Sequence, residues 1–141
     1  MKRRTLFICE HNSARSQIAA AFLRKYGGDD YDVDSAGLEP TELNPLAVEV
    51  MKEAGIDISD QKPQSVFDLF RQGKLYQTII TVCQPAADKC PIFPGVAKRL
   101  HWPFDDPHQF AGTWEEKLSQ TRQVRDQIKD TITAWISENR R

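Results

Sequence analysis

The segment LFICEHNSARSQIA at residues 6–19 constrains the fold more than any other part of the sequence. Residues 6–8 form a short continuous apolar run, which is typical of a strand buried inside a parallel sheet. Small and polar residues follow Cys9, and from Arg15 onward apolar residues recur at helical spacing until the glycines at 27 and 28. This order of strand, loop and helix predicts that Cys9 lies at the carboxyl end of a central strand, where open parallel sheets bind ligands.

Strand and helix patterns alternate along the rest of the chain. Further strands are predicted in YDVDSAG (31–37), YQTIITVC (76–83) and AKRLHW (97–102). Further helices are predicted after Asn44, in SVFDLF (65–70), and from Trp114 to Ile136, where apolar residues form a stripe along a polar helix. A chain of 141 residues has the length of one domain. We therefore expect a single α/β domain over residues 1–141, a three-layer sandwich in which helices cover both faces of a central parallel sheet of about four strands.

The residues after Cys9 have the composition of a loop that binds an oxyanion. The predicted oxyanion-binding residues are Glu10, His11, Asn12, Ser13, Ala14, Arg15 and Ser16. Free N–H groups at a helix N-terminus favour an anion, and the planar guanidinium of Arg15 matches two oxygens of a tetrahedral oxyanion. The same positive field favours a thiolate, so we expect Cys9 to be a nucleophile, with Ser13 or Ser16 donating to its sulfur. The alternative is that Cys9 only ends a strand and Arg15 is solvated.

Composition excludes several other function classes. The formal net charge is −1, and like charges cluster only at KRR (2–4) and RR (140–141). Broad attraction to nucleic acid or to a membrane surface is therefore unsupported. The apolar run near the start is too short for a signal peptide, and no segment approaches the length of a membrane span. We expect a cytoplasmic protein, in which three cysteines are reactive or buried rather than structurally bridged.

A cysteine, five residues, an arginine and a serine after a first strand together resemble the motif of the low-molecular-weight protein tyrosine phosphatases and of the arsenate reductases that share their fold. The segments SAG (35–37), NPLAVEVMKEAGIDIS (44–59) and HWPFDDP (101–107) are similar to arsenate reductase segments. The resemblance covers nearly the whole chain. It implies a sheet with flavodoxin-like winding and an arsenate reductase of the thioredoxin-coupled type that contributes to arsenic detoxification.

Cys83 and Cys90 follow the third predicted strand, seven residues apart. They could be structural residues, or they could bind zinc with histidines, but structural zinc sites usually show tighter paired spacings and we expect no metal. The resemblance implies a relay instead. Cys9 attacks arsenic, Cys83 attacks Cys9 and releases arsenite, and Cys90 then attacks Cys83. No cofactor is expected to be tightly bound, and the reducing equivalents come from a thiol donor, either thioredoxin or a low-molecular-weight thiol with glutaredoxin.

Asp106, directly before Pro107, matches the general acid of the family, and Asp105 is the adjacent alternative. The DDP sequence also favours a turn, which is compatible with an acid. In the phosphatases a tyrosine commonly follows the Asp-Pro pair, whereas this chain has His108. We therefore expect arsenate as the substrate, with phosphate or sulfate as competitors.

Two other functions remain open, a protein tyrosine phosphatase and a non-catalytic oxyanion-binding regulatory module. Some reductases of the family bind potassium through an asparagine, a serine and an acidic residue. Asn12 and Ser35 match, but Ala20 replaces the acidic residue, so we expect no potassium site. We expect a monomer.

Overall fold

The computed structural model describes residues 2–83 and 93–139, so Cys90 lies outside the described residues. Four strands form one parallel sheet in the order β2-β1-β3-β4. They are β1 (Arg3–Cys9), β2 (Tyr31–Gly37), β3 (Thr78–Thr81) and β4 (Lys98–His101). The prediction of a parallel sheet of about four strands is confirmed. β1 occupies a central position, and its last five residues are all buried, as the continuous apolar run indicated.

Among the described residues, four α-helices connect or follow the strands. They are α1 (Arg15–Gly27), α2 (Pro45–Glu53), α3 (Val66–Arg71) and α4 (Trp114–Asn139), with short 3-10 helices at Gly28–Asp30 and Pro107–Gln109. The predicted N-cap is confirmed, because the Asn44 side chain accepts a hydrogen bond from the Leu46 N–H at 2.9 Å. α1 leads from β1 to β2, and α3 leads from β2 back across to β3. Right-handed crossovers in opposite directions place these two helices on opposite faces of the sheet.

The long helix α4 packs beside α1 and completes the core. Trp135 of α4 contacts the rings of Tyr31 and Trp102, with centroid distances of 5.6 and 5.7 Å. Apolar residues of α4 on the same stripe, Val124, Ile128 and Ile132, are buried. In the part of the chain that the structure describes, no helix combines the length and the apolar character needed to cross a bilayer.

The carboxyl ends of the strands bring distant parts of the chain together. The Val82 N–H donates to the Ile8 carbonyl at 2.9 Å, so the ladder between β1 and β3 continues one residue beyond β3. Cys83 comes next, at a bend, so it follows the end of the strand that pairs with β1, at the edge of the sheet where β1 ends in Cys9. The loop after β4 crosses the end of β3, because Trp102 and Phe104 donate their N–H groups to the carbonyls of Thr81 and Val82. Asp106 is thereby delivered to the edge that carries Cys9.

Candidate active site

The carbonyl groups of residues 9–14 all accept hydrogen bonds from groups outside this loop. Four accept backbone N–H groups of the segment 38–44 at 2.8–3.1 Å: Cys9 from Leu38, Glu10 from Glu39, His11 from Thr41 and Ser13 from Asn44. The Ala14 carbonyl accepts from the Ile18 N–H, and the Asn12 carbonyl accepts from the side chain of Gln17. The segment 38–44 therefore holds the loop along one side.

This arrangement turns the N–H groups of the loop toward its interior. In a trans peptide the carbonyl and the next N–H point in opposite directions, and no cis peptide occurs among the described residues. The Asn12 N–H confirms this direction, because it donates to the Cys9 sulfur at 3.0 Å. Asn12 has a positive φ of 52°, which its short polar side chain tolerates. The loop therefore has the inward N–H groups that an oxyanion site needs, and oxyanion binding by residues 10–16 stays a prediction.

The start of α1 adds to this site. Its N-cap residue, Ala14, provides no side-chain oxygen, whereas α2 and α3 are capped by the side chains of Asn44 and Ser65. The Ala14 side chain therefore does not cap the first N–H groups of α1, and the positive end of the helix dipole faces the loop. A tetrahedral oxyanion is the ligand that this arrangement suits.

Gly37 allows the loop to approach β2 closely. It lies opposite Cys9 in the sheet register, and its N–H donates to the Gln64 carbonyl at 2.8 Å. A Cβ atom at this position would lie 2.8 Å from the Asn12 nitrogen and 2.9 Å from the His11 carbonyl carbon. Both are backbone atoms that cannot rotate away, so only glycine fits here.

Cys9 is buried and held by two hydrogen-bonding partners. Besides the Asn12 N–H, the Ser16 hydroxyl lies 2.9 Å from its sulfur. Ser16 Oγ also accepts a hydrogen bond from the Asn12 side-chain amide at 2.7 Å, which leaves its own hydrogen for the sulfur. Of the two hydroxyls that the sequence offered, the structure places that of Ser16 against the sulfur. Two donors, one from the backbone and one from a side chain, are thus directed at the sulfur.

Arg15 and Asp106 meet at the mouth of the loop. Arg15 Nη1 donates to the Phe104 carbonyl at 3.1 Å, and Nη2 lies 3.4 Å from Asp106 Oδ2. Both side chains are mostly buried, 9% and 17% exposed. Asp106 Oδ1 accepts the His108 N–H at 3.0 Å, so the carboxylate also caps the turn predicted for DDP. Asp105, by contrast, is exposed.

Two histidines lie at the rim of the loop. His11 donates from Nδ1 to the Glu39 carbonyl at 3.1 Å, and its Nε2 lies 3.8 Å from a carboxylate oxygen of Glu10. Its ring centroid is 6.4 Å from that of His108. A cavity of about 390 Å³ opens beside Ser13, between the segment 41–45 and His108.

Comparison with known proteins identifies the family. A model of the family described as low molecular weight phosphotyrosine protein phosphatase matches residues 4–141. The chain belongs to this family. It is 46% identical to the arsenate reductase of Bacillus licheniformis over 134 residues, which are 94% of each chain. Within the family, therefore, it belongs with the arsenate reductases.

Solved structures agree with this assignment. An arsenate reductase in its phosphate-binding state superposes with a TM-score of 0.81 at 29% identity, covering 96% of this chain and 98% of the other. A thioredoxin-dependent arsenate reductase of Corynebacterium glutamicum has a TM-score of 0.64 at 32% identity, covering 94% of this chain and 63% of that one. The low-molecular-weight phosphatase fold is confirmed, with a strand order that matches the flavodoxin-like winding.

Of the two other cysteines predicted to be catalytic, the structure describes one. Cys83 is buried at a bend directly after the end of the β1–β3 ladder, and Cys90 lies outside the described residues. Among the described residues, no three His, Cys, Asp or Glu side chains are grouped so that they could hold a metal ion. Ala20 lies fully buried in the apolar core, while the Ser35 carbonyl accepts from the Gln64 side chain.

Sequence reasoning missed the residues that shape the loop from outside. The sequence indicates Gly37 as the glycine that ends the second predicted strand and as part of the SAG segment, and a glycine in that position is also a signal for close backbone approach. Gln17 was not singled out, yet it is a fully buried polar side chain among the apolar residues of α1. A polar residue on a buried helix face must have a partner, and that requirement is the signal that could have found it.

Proposed function

We propose that this protein reduces arsenate to arsenite, with Cys9 as the nucleophile. One observation carries the proposal. The Cys9 sulfur lies between the Ser16 hydroxyl and the Asn12 N–H, inside a loop whose N–H groups face inward, in a chain 46% identical to an arsenate reductase. The low-molecular-weight phosphatase fold thus supplies an oxyanion site, and the extra cysteines supply the electrons.

The first step is attack by the Cys9 thiolate on arsenic(V). A sulfur–arsenic bond forms and a bond from arsenic to one hydroxyl breaks. Hydroxide is a poor leaving group, so Asp106 donates a proton and the group departs as water. Arg15 and the inward N–H groups hold the other oxygens and stabilise the negative charge on them. The contact between Asp106 and Arg15 at 3.4 Å supports this role.

The second step uses Cys83, which follows the strand next to Cys9. Its thiolate attacks the Cys9 sulfur, the sulfur–arsenic bond breaks, and the electron pair of that bond leaves with arsenic as arsenite. The Cys90 thiolate then attacks Cys83 and frees Cys9 as a thiolate. The resulting Cys83–Cys90 disulfide takes two electrons from a dithiol donor. We propose thioredoxin as this donor, because a structural relative at 32% identity is thioredoxin-dependent.

A coupled assay tests the function. Purified protein, thioredoxin, thioredoxin reductase and NADPH should oxidise NADPH only when arsenate is added, with one arsenite produced per NADPH. A parallel reaction with glutathione and glutaredoxin distinguishes the two classes of donor. Cys9→Ser should abolish the activity with either donor. Phosphate should inhibit competitively, because a related arsenate reductase has been solved in a phosphate-binding state.

Two outcomes would replace this function with another. Release of nitrophenol from p-nitrophenyl phosphate, with no arsenate-dependent oxidation, would assign the protein to the phosphatases of its family. Binding of phosphate and arsenate without turnover by either donor would identify a non-catalytic oxyanion-binding module. His108 stands where the phosphatases commonly have a tyrosine, which is why we favour the reductase over the phosphatase.

A further inference from the structure

The Asn12 carbonyl is held differently from its neighbours. The other five carbonyl groups of residues 9–14 accept backbone N–H groups, whereas that of Asn12 accepts the side-chain amide of Gln17, with Nε2 at 3.0 Å. Asn12 is also the residue with positive φ, so its peptide is where the loop changes direction. The backbone groups that hold the neighbouring carbonyls do not hold this one, and the Gln17 side chain holds it instead.

The Gln17 side chain is itself held in place. It is 1% exposed, and its Oε1 accepts a hydrogen bond from Gln61 Nε2 at 2.6 Å. Gln61 Oε1 accepts in turn from Arg24 Nη1 at 3.2 Å, and Arg24 Nη2 donates to the Val33 carbonyl at 2.9 Å. Each group in this series donates a hydrogen bond to the next, from Arg24 to Gln61, from Gln61 to Gln17 and from Gln17 to the Asn12 carbonyl. We call Gln17 and Gln61 the glutamine brace.

Asn12 connects this brace to the reactive thiol. Its N–H donates to the Cys9 sulfur at 3.0 Å, and its side-chain Nδ2 donates to Ser16 Oγ, which contacts the same sulfur. Its Oδ1 accepts from the Gln64 N–H at 2.9 Å. All four polar groups of Asn12 are therefore hydrogen-bonded, and the bond that its carbonyl accepts is donated by the Gln17 side chain.

We propose that the glutamine brace is a positioning device for oxyanion binding, with Gln17 as its principal residue. By holding the Asn12 carbonyl outward, Gln17 keeps the N–H of Ser13, across the same peptide bond, directed at the bound oxyanion. Without this donor the buried carbonyl loses its partner, and the peptide is free to rotate toward water or the ligand. This inference rests on the proposed function, because it concerns the same oxyanion loop.

The brace acts on binding more than on the later chemistry. The N–H groups of the loop contact the oxyanion in the ground state and in the transition state alike, so their misalignment raises KM more than it lowers kcat. At saturating arsenate, kcat also includes the attack of Cys90 on Cys83 and the reduction of their disulfide, which take place after arsenite has left the loop. A merely structural role for Gln17 would lower thermal stability without this separation.

The test uses the full chain with three substitutions by methionine, which is close to glutamine in size but cannot donate. Inorganic phosphate is titrated into each variant by calorimetry, and arsenate kinetics are measured with thioredoxin. Gln17→Met should weaken phosphate binding and raise the arsenate KM roughly tenfold, with kcat changed less than about threefold. Gln61→Met, farther from the loop and only partly buried, should have the same effect at roughly two- to fivefold. Gln123→Met, at an exposed position of α4, is the matched control and should leave both constants unchanged.

The two proposals fail in distinguishable ways. A phosphate affinity of Gln17→Met and Gln61→Met within twofold of the parent protein would overturn the brace, whatever the arsenate activity. An equal fall in kcat and kcat/KM with no change in phosphate binding would also overturn it. Absence of arsenate reduction by the parent protein, together with weaker phosphate binding in Gln17→Met, would overturn the proposed reaction and support the brace.

Discussion

Arg15 divides its guanidinium between two acceptors at the mouth of the loop, the Phe104 carbonyl and the Asp106 carboxylate. In the proposed reaction an oxyanion bound in the loop would compete with that carboxylate for the same cation, since both are negative. The same reaction uses Asp106 as the acid that gives a proton to the departing hydroxyl. The contact between Arg15 and Asp106 therefore bears on both the proposed binding and the proposed proton transfer.

Asp106→Asn should separate this acid role from the structural one. An asparagine oxygen can still accept the His108 N–H and keep the turn, but the amide cannot supply a proton. We expect the rate of the first arsenate-dependent step, measured in a single turnover by rapid quench, to fall by roughly 10²–10⁴-fold. Asp105→Asn is the matched control, because Asp105 is exposed, and its rate should stay near that of the parent protein. Equal losses in the two variants would contradict the assignment.

Gly37→Ala should damage the loop from the opposite side. The added Cβ would lie 2.8 Å from the Asn12 nitrogen, so either β2 or the loop must move. We expect the free energy of unfolding in urea to fall by about 1–3 kcal/mol, the usual cost of overpacking. Phosphate binding, measured by calorimetry, should weaken at the same time. A variant with unchanged stability and unchanged phosphate affinity would show that the close approach is unimportant.

The helices around the site are joined by charged contacts as well as by apolar packing. Glu53 at the end of α2 accepts hydrogen bonds from Arg122 and Arg125 of α4, at 2.9–3.3 Å. Arg125 also donates to the Val50 carbonyl at 2.9 Å. We call the contacts of Glu53 with Arg122 and Arg125 the clamp. Because α2 begins directly after the segment 38–44 that holds the loop, the clamp fixes the end of α2 that is farther from the site.

The clamp should give a pH-dependent contribution to stability. The hydrogen bond from Arg122 lowers the pKa of Glu53. A carboxyl group whose pKa is lowered by folding stabilises the folded protein at pH values above its ordinary pKa of about 4.3. This contribution is lost as the pH falls through the lowered pKa. Glu53→Gln should therefore cost at most about 1 kcal/mol at pH 7, as for other partly exposed ion pairs.

Urea unfolding at pH 7 and pH 3 measures this effect. The difference between Glu53→Gln and the parent protein should be smaller at pH 3 than at pH 7, because Glu53 takes up protons as the pH falls through its lowered pKa. Glu138→Gln, at an exposed position near the end of α4, should show no such difference at either pH. A stability difference that is the same at both pH values would contradict the ionic clamp.

The whole molecule explains why some features could be predicted from sequence and others could not. Strand and helix positions follow from local signals, such as the apolar run of β1 and the cap at Asn44, and the structure confirms them. The motif from Cys9 to Ser16 is also local. The hold of segment 38–44 on the loop is not, because those hydrogen bonds join residues about 30 positions apart and depend on the register of β1 and β2.

The same argument applies to the acid and to the second thiol. Asp106 reaches Arg15 because the loop after β4 crosses the end of β3, and Cys83 follows the strand that pairs with β1, the strand that ends in Cys9. Resemblance to the family assigned roles to these residues, whereas the sheet order explains how they meet. Parallel topology gathers four separate chain regions at one edge, as ligand sites in such sheets require.

The most direct test of the account is a single turnover by Cys90→Ser. This variant should release about one arsenite per protein molecule and then stop, because Cys83 can attack Cys9 but nothing resolves the bond that forms. Alkylation of the quenched protein followed by peptide mass spectrometry should find a disulfide between Cys9 and Cys83. Cys83→Ser, the matched variant, should release no arsenite and retain arsenic on Cys9. Sustained turnover of Cys83→Ser with thioredoxin, or release of arsenite by Cys90→Ser without that disulfide, would contradict the three-cysteine mechanism.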